Sequence, residues 1–271
     1  MASYLDLLKL LPKTNCRECG EESCLLFALK VFSRSISPDR CPYLKTSVLP
    51  AELSASKITF DQTFENLKYL REKFRNLENF LERAENLGCQ MREEGNSLLL
   101  SYLDIKIEIA LGEGGKPLEI RDWAKAPLDP RDEILLCNYF LFNGKDSLSL
   151  NFVGLESFPH SISKVKTLKA YGEDPLAELM SSCSPALEEI LRNFIITDYV
   201  KLTSGTSFIV WVLPRVPLKI TFWEGDLEEG LSPSCKILYD QVALSYLDLE
   251  CLVFCAERLV EKLKAKVSIG G

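Results

Sequence analysis

The sequence predicts an α+β fold, in which a small helical module rich in cysteine precedes a mixed domain with antiparallel hairpins and a C-terminal helix. Residues 198–226 contain three strand-like runs, separated by turn sequences at Ser204-Gly205 and at Pro214–Pro217. Residues 247–267 have the periodicity of an amphipathic helix. Because the hairpins are segregated from the helices along the chain, a parallel α/β sheet is not expected.

Residues 1–46 differ in charge from the rest of the 271-residue chain. They carry seven Lys and Arg against five Asp and Glu, whereas the remainder carries 25 against 34. Residues 47–56 combine Pro, Ser and Ala with little periodicity, as is typical of a linker. We therefore predict a cysteine-rich module at 1–46, a linker at 47–56 and an α+β domain of unknown function at 57–271.

Helical patterns begin within the module and continue beyond it. Residues 4–11 and 21–32 are predicted as short amphipathic helices, the second with acidic residues in its first turn. Residues 64–88 are predicted as one long helix, because apolar residues recur at steps of three and four. The same steps are compatible with a coiled-coil seam. Three heptads are short for a coiled coil, so a helix that packs on its own domain is favoured.

The larger region mixes strand and helix patterns. In residues 105–109 isoleucines alternate with charged side chains, which indicates a half-buried strand. The glycine-rich segment 112–115 lacks the Lys-Ser/Thr pair of a phosphate loop and is predicted as a hairpin turn. Residues 130–142 have a helical pattern, and residues 175–194 are typical of a helical pair that is split near Pro185.

Composition excludes several classes of function. The formal net charge is −7, and phosphate binding needs clustered Lys and Arg, so no nucleic-acid partner is predicted. No stretch approaches the roughly 18 apolar residues that a membrane helix needs. Residues 1–12 lack a cationic start and a small-residue cleavage site, so we expect a cytoplasmic protein. In that compartment clustered cysteines more often bind metal than form disulfides.

Four of the ten cysteines lie close together, with the spacing Cys16-x2-Cys19-x4-Cys24-x16-Cys41, and Pro42 follows the last one. A [4Fe–4S] cluster takes one thiolate for each iron, which is four in all. The close trio is suited to one side of a cluster, and the fourth cysteine returns after a helix. We therefore predict a [4Fe–4S] cofactor with these four cysteines as its metal ligands.

The residues around the cysteines favour an anionic cluster. Gly20 allows the backbone to approach closely, and Cys24 falls in the first turn of a predicted helix, where free N–H groups favour negative charge. The alternative is a structural zinc site. Zinc sites are usually built from two separated Cys/His pairs, whereas these ligands come as three and one without a nearby His. The cluster is therefore the favoured interpretation.

The stretch LPKTNC-x2-CG-x3-C-x2-FA, which ends in CPYL, resembles the N-terminal module of the corrinoid iron–sulfur protein large (gamma) subunit. A looser resemblance is to the cluster motif of the Rnf-type electron-transport complex. The first resemblance covers about residues 4–46. It implies one [4Fe–4S] cluster, held by Cys16, Cys19, Cys24 and Cys41, that passes low-potential electrons in anaerobic metabolism, in the corrinoid protein to reactivate oxidised cobalt.

The remaining chain departs from the corrinoid protein. It is too short and too rich in hairpins for that family's barrel and corrinoid domain, and it lacks a cobalamin motif of the Asp-x-His-x-x-Gly kind. The segment Phe222–Leu252, with Trp-Glu-Gly-Asp followed by Lys-Ile-Leu-Tyr-Asp, instead resembles the family called domain of unknown function 3786. This resemblance implies a domain and no particular activity.

Other candidate residues have a structural explanation that is favoured over a functional one. Cys251 and Cys255 share one face of the C-terminal helix and Cys235 precedes them, so a second metal site is an alternative. Their apolar neighbours favour buried core cysteines. The only histidine, His160, has no partner motif beside it. Three further isolated cysteines are also expected in the core: Cys89, Cys137 and Cys183.

Electron transfer is the predicted function, because four thiolate ligands leave no iron with an open position for a substrate. We expect a potential of about −400 mV and a redox protein or a corrinoid protein as the partner. Two alternatives stay open. One is a cluster-fed enzyme with its active site in residues 57–271, although no catalytic motif is visible there. The other is a cluster with a structural or sensing role.

Overall fold

The computed structural model describes residues 4–21, 23–32, 38–44, 67–182, 189–226 and 230–270. The chain divides into two compact units, Met1–Lys68 and Tyr69–Gly271. Helices and two antiparallel sheets confirm the α+β fold class. The predicted linker at 47–56 lies outside the described residues.

Two short helices form the described framework of the first unit. Helix α1 spans Tyr4–Leu10, helix α2 spans Cys24–Phe32, and a 3-10 turn spans Pro38–Arg40. The predicted acidic first turn of α2 is wrong, because the helix begins only at Cys24. Ser23 provides the N-terminal cap instead, since its Oγ accepts a hydrogen bond from the Leu26 N–H at 3.1 Å.

The core of the first unit is small. Leu7 and Leu11 at the α1 end pack with apolar side chains of α2 and with the segment after the 3-10 turn. Two cysteines belong to this core. Its buried residues are Leu7, Leu11, Cys24, Phe27, Ala28, Val31, Cys41 and Leu44.

The prediction of one long helix at 64–88 is wrong. The described part contains helix α3 at residues 67–75 and helix α4 at Phe80–Asn86, with a break between them. Asn79 in the break has φ 51°, a left-handed conformation that Asn tolerates better than most residues. Phe74 and Phe80 are six residues apart and would point to different sides of a continuous helix.

The break allows both of these rings to enter one core. The Phe74 and Phe80 ring centroids lie 5.4 Å apart at 84°, and Phe140 packs 5.5 Å and 5.3 Å from them. Aromatic packing of this kind contributes on the order of 1 kcal/mol per pair beyond the area that it buries. Local propensity favoured one helix, and tertiary packing overrides it.

The first sheet of the second unit is a meander with the strand order β1-β2-β3-β4. Its strands are β1 (Gln90–Met91), β2 (Ser97–Tyr102), β3 (Ile105–Leu111) and β4 (Pro117–Asp122). The strand pattern at 105–109 and the hairpin connection at 112–115 are thus confirmed. Alternation predicted an exposed Glu108, but its side chain is buried, as are those of Ile107 and Ile109.

The second sheet is antiparallel throughout and has the order β5-β9-β8-β7-β6. The three consecutive strands predicted at 198–226 are confirmed as β6, β7 and β8. The five strands are β5 (Phe152–Gly154), β6 (Ile196–Leu202), β7 (Gly205–Leu213), β8 (Val216–Trp223) and β9 (Ser234–Asp240).

The remaining helices pack with these sheets in one core. Helix α5 at Pro130–Phe142 confirms the predicted helix, with Asp129 as its cap. The predicted split near Pro185 lies outside the described residues, and residues 189–191 beyond it are helical. The other helices are α6 (Ile162–Leu168), which continues through a π-turn into α7 (Asp174–Ser182), and the predicted C-terminal helix, α8 (Leu249–Gly270).

A buried ion pair joins the first turn of α5 to α8. Arg258 donates from Nε to Asp132 Oδ1 at 2.6 Å and from Nη2 to Asp132 Oδ2 at 2.8 Å. Tyr102 of β2 donates its hydroxyl to the same Asp132 Oδ1 at 2.6 Å. Burial and the Asp132 carboxylate both hold the pKa of Tyr102 well above its usual value, so the hydroxyl keeps its proton and remains a donor.

None of the described helices is both long enough and apolar enough to cross a membrane.

We predict that Asp132→Asn destabilises the second unit, because it removes the carboxylate that accepts two bonds from the buried Arg258 and leaves only the more exposed Asp129 and Glu261 beside the guanidinium. Breaking a buried pair from one side typically costs about 3–5 kcal/mol, and the lower end is expected here because those two carboxylates remain. For a unit of this size that corresponds to a fall in Tm of at least about 6 °C. Thermal unfolding of the full chain, followed by circular dichroism, measures the shift.

The matched control is Asp174→Asn, which breaks the exposed pair that Asp174 Oδ1 forms with Lys169 Nζ at 2.7 Å. Exposed pairs contribute less than about 1 kcal/mol, so the Tm of this variant is expected to stay close to that of the parent. Equal shifts in the two variants would contradict a special role for the buried pair.

Candidate metal centre

The four cysteines singled out from the sequence line one small cavity in the first unit. Cys24 is the first residue of α2, and Cys41 follows the 3-10 turn Pro38–Arg40. Cys24 and Cys41 are buried and Cys19 is half-buried, whereas Cys16 is exposed. The cavity therefore has an inner wall of thiols that belongs to the core and one thiol at the solvent edge.

The loop that carries the first two cysteines has an unusual backbone. Lys13, Asn15 and Arg17 have φ values of 57°, 50° and 64°, and Gly20 has 82°. Left-handed residues that alternate with ordinary ones turn successive N–H groups toward a common concavity, which is an arrangement that binds anions and occurs at iron–sulfur sites. For Lys and Arg this conformation costs on the order of 1 kcal/mol each, and such strain is typical of functional loops.

Asn15 ties this loop to helix α2. Its side-chain Oδ1 accepts a hydrogen bond from the Cys24 N–H at 2.8 Å. Within the loop, the Gly20 N–H donates to the Arg17 carbonyl at 2.9 Å and closes the turn that contains Cys19. These two bonds determine where the exposed and buried thiols lie relative to the helix N-terminus.

The donor set suits a multi-iron cluster. A single zinc ion needs all its sulfur ligands within about 2.3 Å of one point, whereas in a four-iron cluster each thiolate binds a different iron. Across the described residues, no group of three or more His, Cys, Asp and Glu side chains is arranged to hold a single metal ion. Four thiols that line one cavity supply the four thiolates that a four-iron cluster takes.

Positive charge surrounds the exposed edge of the loop. The side chains of Lys13, Arg17 and Arg40 are exposed, and within the described parts of the chain they make no ion pair. Glu18 is engaged by Tyr43, whose hydroxyl donates to Glu18 Oε1 at 2.9 Å. That bond raises the pKa of Tyr43, so the phenol stays neutral. The formal charge of this region is +1, because Glu18 keeps its negative charge and the buried Glu21 also lines the cavity, against the three cations.

The other described cysteines have the environment expected of core residues. Burial raises the pKa of Cys89, Cys137 and Cys251 to about 12, and the Cys251 Sγ is hydrogen-bonded by Asn138 Nδ2 at 3.3 Å. Cys235 and Cys255 are buried as well, and Cys183 lies outside the described residues. The expectation of core cysteines is confirmed for those four buried residues: Cys137, Cys235, Cys251 and Cys255.

The sequence predicted the thiols of this cavity but not its backbone or its cap. Asn15 is the one position whose residue type could have indicated these features, since Asn often accepts hydrogen bonds from helix N-termini and tolerates a left-handed conformation. Lys13 and Arg17 have no such preference. His160, the other candidate, lies in an exposed turn before α6 with φ 60°.

Comparison with known families identifies two segments. A family model described as "Putative Fe-S cluster" matches residues 11–43, which contain all four cysteines of the cavity. A second family model, described as "Domain of unknown function (DUF3786)", matches residues 79–262. The first segment is thus an iron–sulfur module, and the resemblance to domain of unknown function 3786 is confirmed.

Curated relatives match over a short stretch. The chain is 50% identical over 44 residues to acetyl-CoA decarbonylase/synthase complex subunit gamma of Methanocaldococcus jannaschii, and 52% identical over 42 residues to subunit gamma 2 of Methanosarcina thermophila. Each match covers 16% of this chain and 9% of the relative.

A third relative is the corrinoid/iron-sulfur protein large subunit of Moorella thermoacetica, which is 45% identical over 47 residues. This match covers 17% of the chain and 10% of the relative. The chain therefore spans about a tenth of the length of the curated relatives that it matches. No solved structure matches the chain.

We predict that Asn15→Gly weakens retention of iron by the module. Glycine accepts the positive φ but removes the Oδ1 that accepts the hydrogen bond from the Cys24 N–H, and loss of such a bond costs about 1 kcal/mol. The expected result is a severalfold faster transfer of iron from the purified protein to an excess chelator, followed by absorbance.

Thr14→Gly is the control for Asn15→Gly, since Thr14 is an exposed neighbour in the same loop. It increases backbone freedom without removing the cap, and its iron release is expected to match that of the parent. Equal acceleration in both variants would show that loop flexibility, and not the Asn15 cap, controls retention.

Proposed function

The chain belongs to the family described as domain of unknown function DUF3786, whose model covers more than half of it, and we propose that this member is an electron-transfer protein. In this proposal residues 1–46 bind one [4Fe–4S] cluster, residues 47–56 are a linker, and residues 57–271 present the module to a partner. The ligands are Cys16, Cys19, Cys24 and Cys41.

The observation that carries the proposal is the convergence of four thiols on one cavity inside a loop with left-handed backbone residues. A bound [4Fe–4S] cluster would supply reversible one-electron transfer. The protein's own contribution is to hold the four thiols and to enclose the inner side of the cavity. With four cysteine ligands there is no open position for a substrate.

The route for electrons runs through the Cys16 edge. Cys16 is the only exposed thiol among the four, so a partner approaches closest on this side. The cations Lys13 and Arg17 flank it in the loop and favour an acidic docking surface on the partner, because complementary charge accelerates encounter. We infer a cytoplasmic redox protein as the partner.

A corrinoid protein is the partner that the relatives favour. The Moorella relative is named as a corrinoid/iron-sulfur protein, and its likeness to this chain is confined to about 47 residues. The proposed role is therefore delivery of low-potential electrons, at about −400 mV, to a corrinoid or another redox partner of anaerobic metabolism.

Anaerobic purification of the full chain tests the cofactor. We expect about four iron and four acid-labile sulfide per chain, without zinc, and an EPR signal that appears on reduction with dithionite. A corrinoid protein mixed with the reduced chain should then be reduced at a rate that falls as salt rises. One zinc and no sulfide would overturn the proposal, and so would a cluster that cannot be reduced reversibly.

Replacement of single cysteines tests the ligand set. Each of Cys16→Ala, Cys19→Ala, Cys24→Ala and Cys41→Ala is expected to lower the iron content of the purified protein to half or less. The control is Cys251→Ala, a buried cysteine of the second unit, which should retain about four irons. Full iron content in any of the four variants would remove that residue from the ligand set.

A further inference from the structure

A cavity of about 360 Å³ in the second unit has no role in the proposal above. It lies between α3, strand β4, the segment 126–128 and the first half of α5. Its volume is within the range of sites that bind small molecules. Three arginines line it, two from α3 and one from β4, which are Arg71, Arg75 and Arg121.

Each of these guanidinium groups is held in place through its Nε atom. Arg71 donates to Glu133 from Nε at 2.5 Å and from Nη2 at 2.6 Å. Arg75 Nε donates to the Leu118 carbonyl at 2.9 Å, and Arg121 Nε donates to Glu108 Oε2 at 2.7 Å. The anchors fix the planes of the groups, so little conformational entropy remains to be lost on binding.

The terminal nitrogens of two of these arginines remain available. Within the described residues, the Nη groups of Arg75 and Arg121 make no hydrogen bond to the protein. A guanidinium presents its donors in a planar fork that matches a carboxylate or a phosphate. Two anchored forks with unused donors at one cavity are therefore suited to an oxyanion.

The charge of the cavity favours the same kind of ligand. Three arginines face two glutamates, Glu119 and Glu133, which leaves a formal charge of +1. The Glu133 carboxylate is committed to Arg71. Glu108, the partner of Arg121, is outside the cavity and is shared with Arg92 Nη1 at 3.4 Å. The positive charge of Arg121 is thus only partly compensated.

Apolar side chains also line the cavity. Phe74, Ile120 and Leu128 line the cavity, and Cys137 lies beside Glu133 one turn further along α5. Burial raises the pKa of Cys137 to about 12, so its thiol is neutral near pH 7 and adds no negative charge. A ligand with a compact apolar body and one anionic group would match both kinds of lining residue.

We propose that this cavity binds a small organic anion, whose carboxylate or phosphate group is held by the free Nη atoms of Arg75 and Arg121 and whose apolar body contacts Phe74 and Leu128. The two arginines are 46 positions apart in the sequence, and the packing of α3 on β4 brings them together. The proposal does not depend on the iron–sulfur module.

Isothermal titration of the full chain with three probes tests the proposal. Benzoate and phenyl phosphate carry the two candidate anionic groups on the same ring, and benzyl alcohol is the neutral analogue. At least one anion is expected to bind at one site per chain, ten-fold or more tightly than benzyl alcohol. The tighter of the two anions identifies the chemical class.

Variants separate this site from general attraction to a protein surface. The double variant Arg75→Gln/Arg121→Gln is expected to lose at least ten-fold in affinity for the anion. Arg215→Gln is the matched control, because Arg215 Nε also donates to a backbone carbonyl, that of Asn86 at 2.9 Å, without lining the cavity. Its affinity should equal that of the parent.

A second test keeps every arginine. Ala126→Trp places a large side chain at an exposed position on the cavity wall and should abolish binding while the unfolding temperature stays unchanged. The proposal is overturned if neither anion binds, or if benzyl alcohol binds as tightly as the anions. It is also overturned if the double variant or the filled cavity retains the parental affinity.

Discussion

The buried pair between Asp132 and Arg258 is the interaction on which the second unit depends. Both oxygens of the carboxylate accept from the guanidinium, and Tyr102 adds a third bond, so β2, α5 and α8 are joined at one point. Two charges in an apolar interior are favourable only when this geometry is complete. The pair thus fixes the first turn of α5 against α8 and β2, and the same half of α5 lines the arginine-lined cavity.

Much of the fold could be predicted from local patterns. Alternation identified the β3 strand, turn residues identified the β6–β8 hairpins, and helical periodicity identified α5 and α8, because each of these signals reflects one buried face. The break between α3 and α4 could not be predicted, since it serves the packing of Phe74 and Phe80 against a ring more than fifty positions away. The burial of Glu108 could not be predicted either. Strand alternation predicted an exposed charged residue, but ion pairs with Arg92 and Arg121 cover its carboxylate.

The candidate sites show the same division. Cysteine spacing predicted which thiols line the cavity of the first unit, because ligand chemistry demands both residue type and separation. The conformation of the loop could not be predicted, since Lys13 and Arg17 have no preference for positive φ and adopt it only in this context. The arginine-lined cavity could not be predicted from the sequence. Arg75 lies on α3 and Arg121 on β4, so only tertiary packing brings them to the same cavity.

The strained loop of the first unit has a consequence for the lifetime of the protein. Lys13 and Arg17 together store roughly 2 kcal/mol of backbone strain, and two of the eight buried residues of the described core are themselves the thiols Cys24 and Cys41. A core as small as the one described gives small reserves of stability. Whatever binds the thiols therefore also helps to keep the unit folded. Damage by oxygen, or a shortage of iron, would remove such a group and would thereby loosen this segment and open it to proteases.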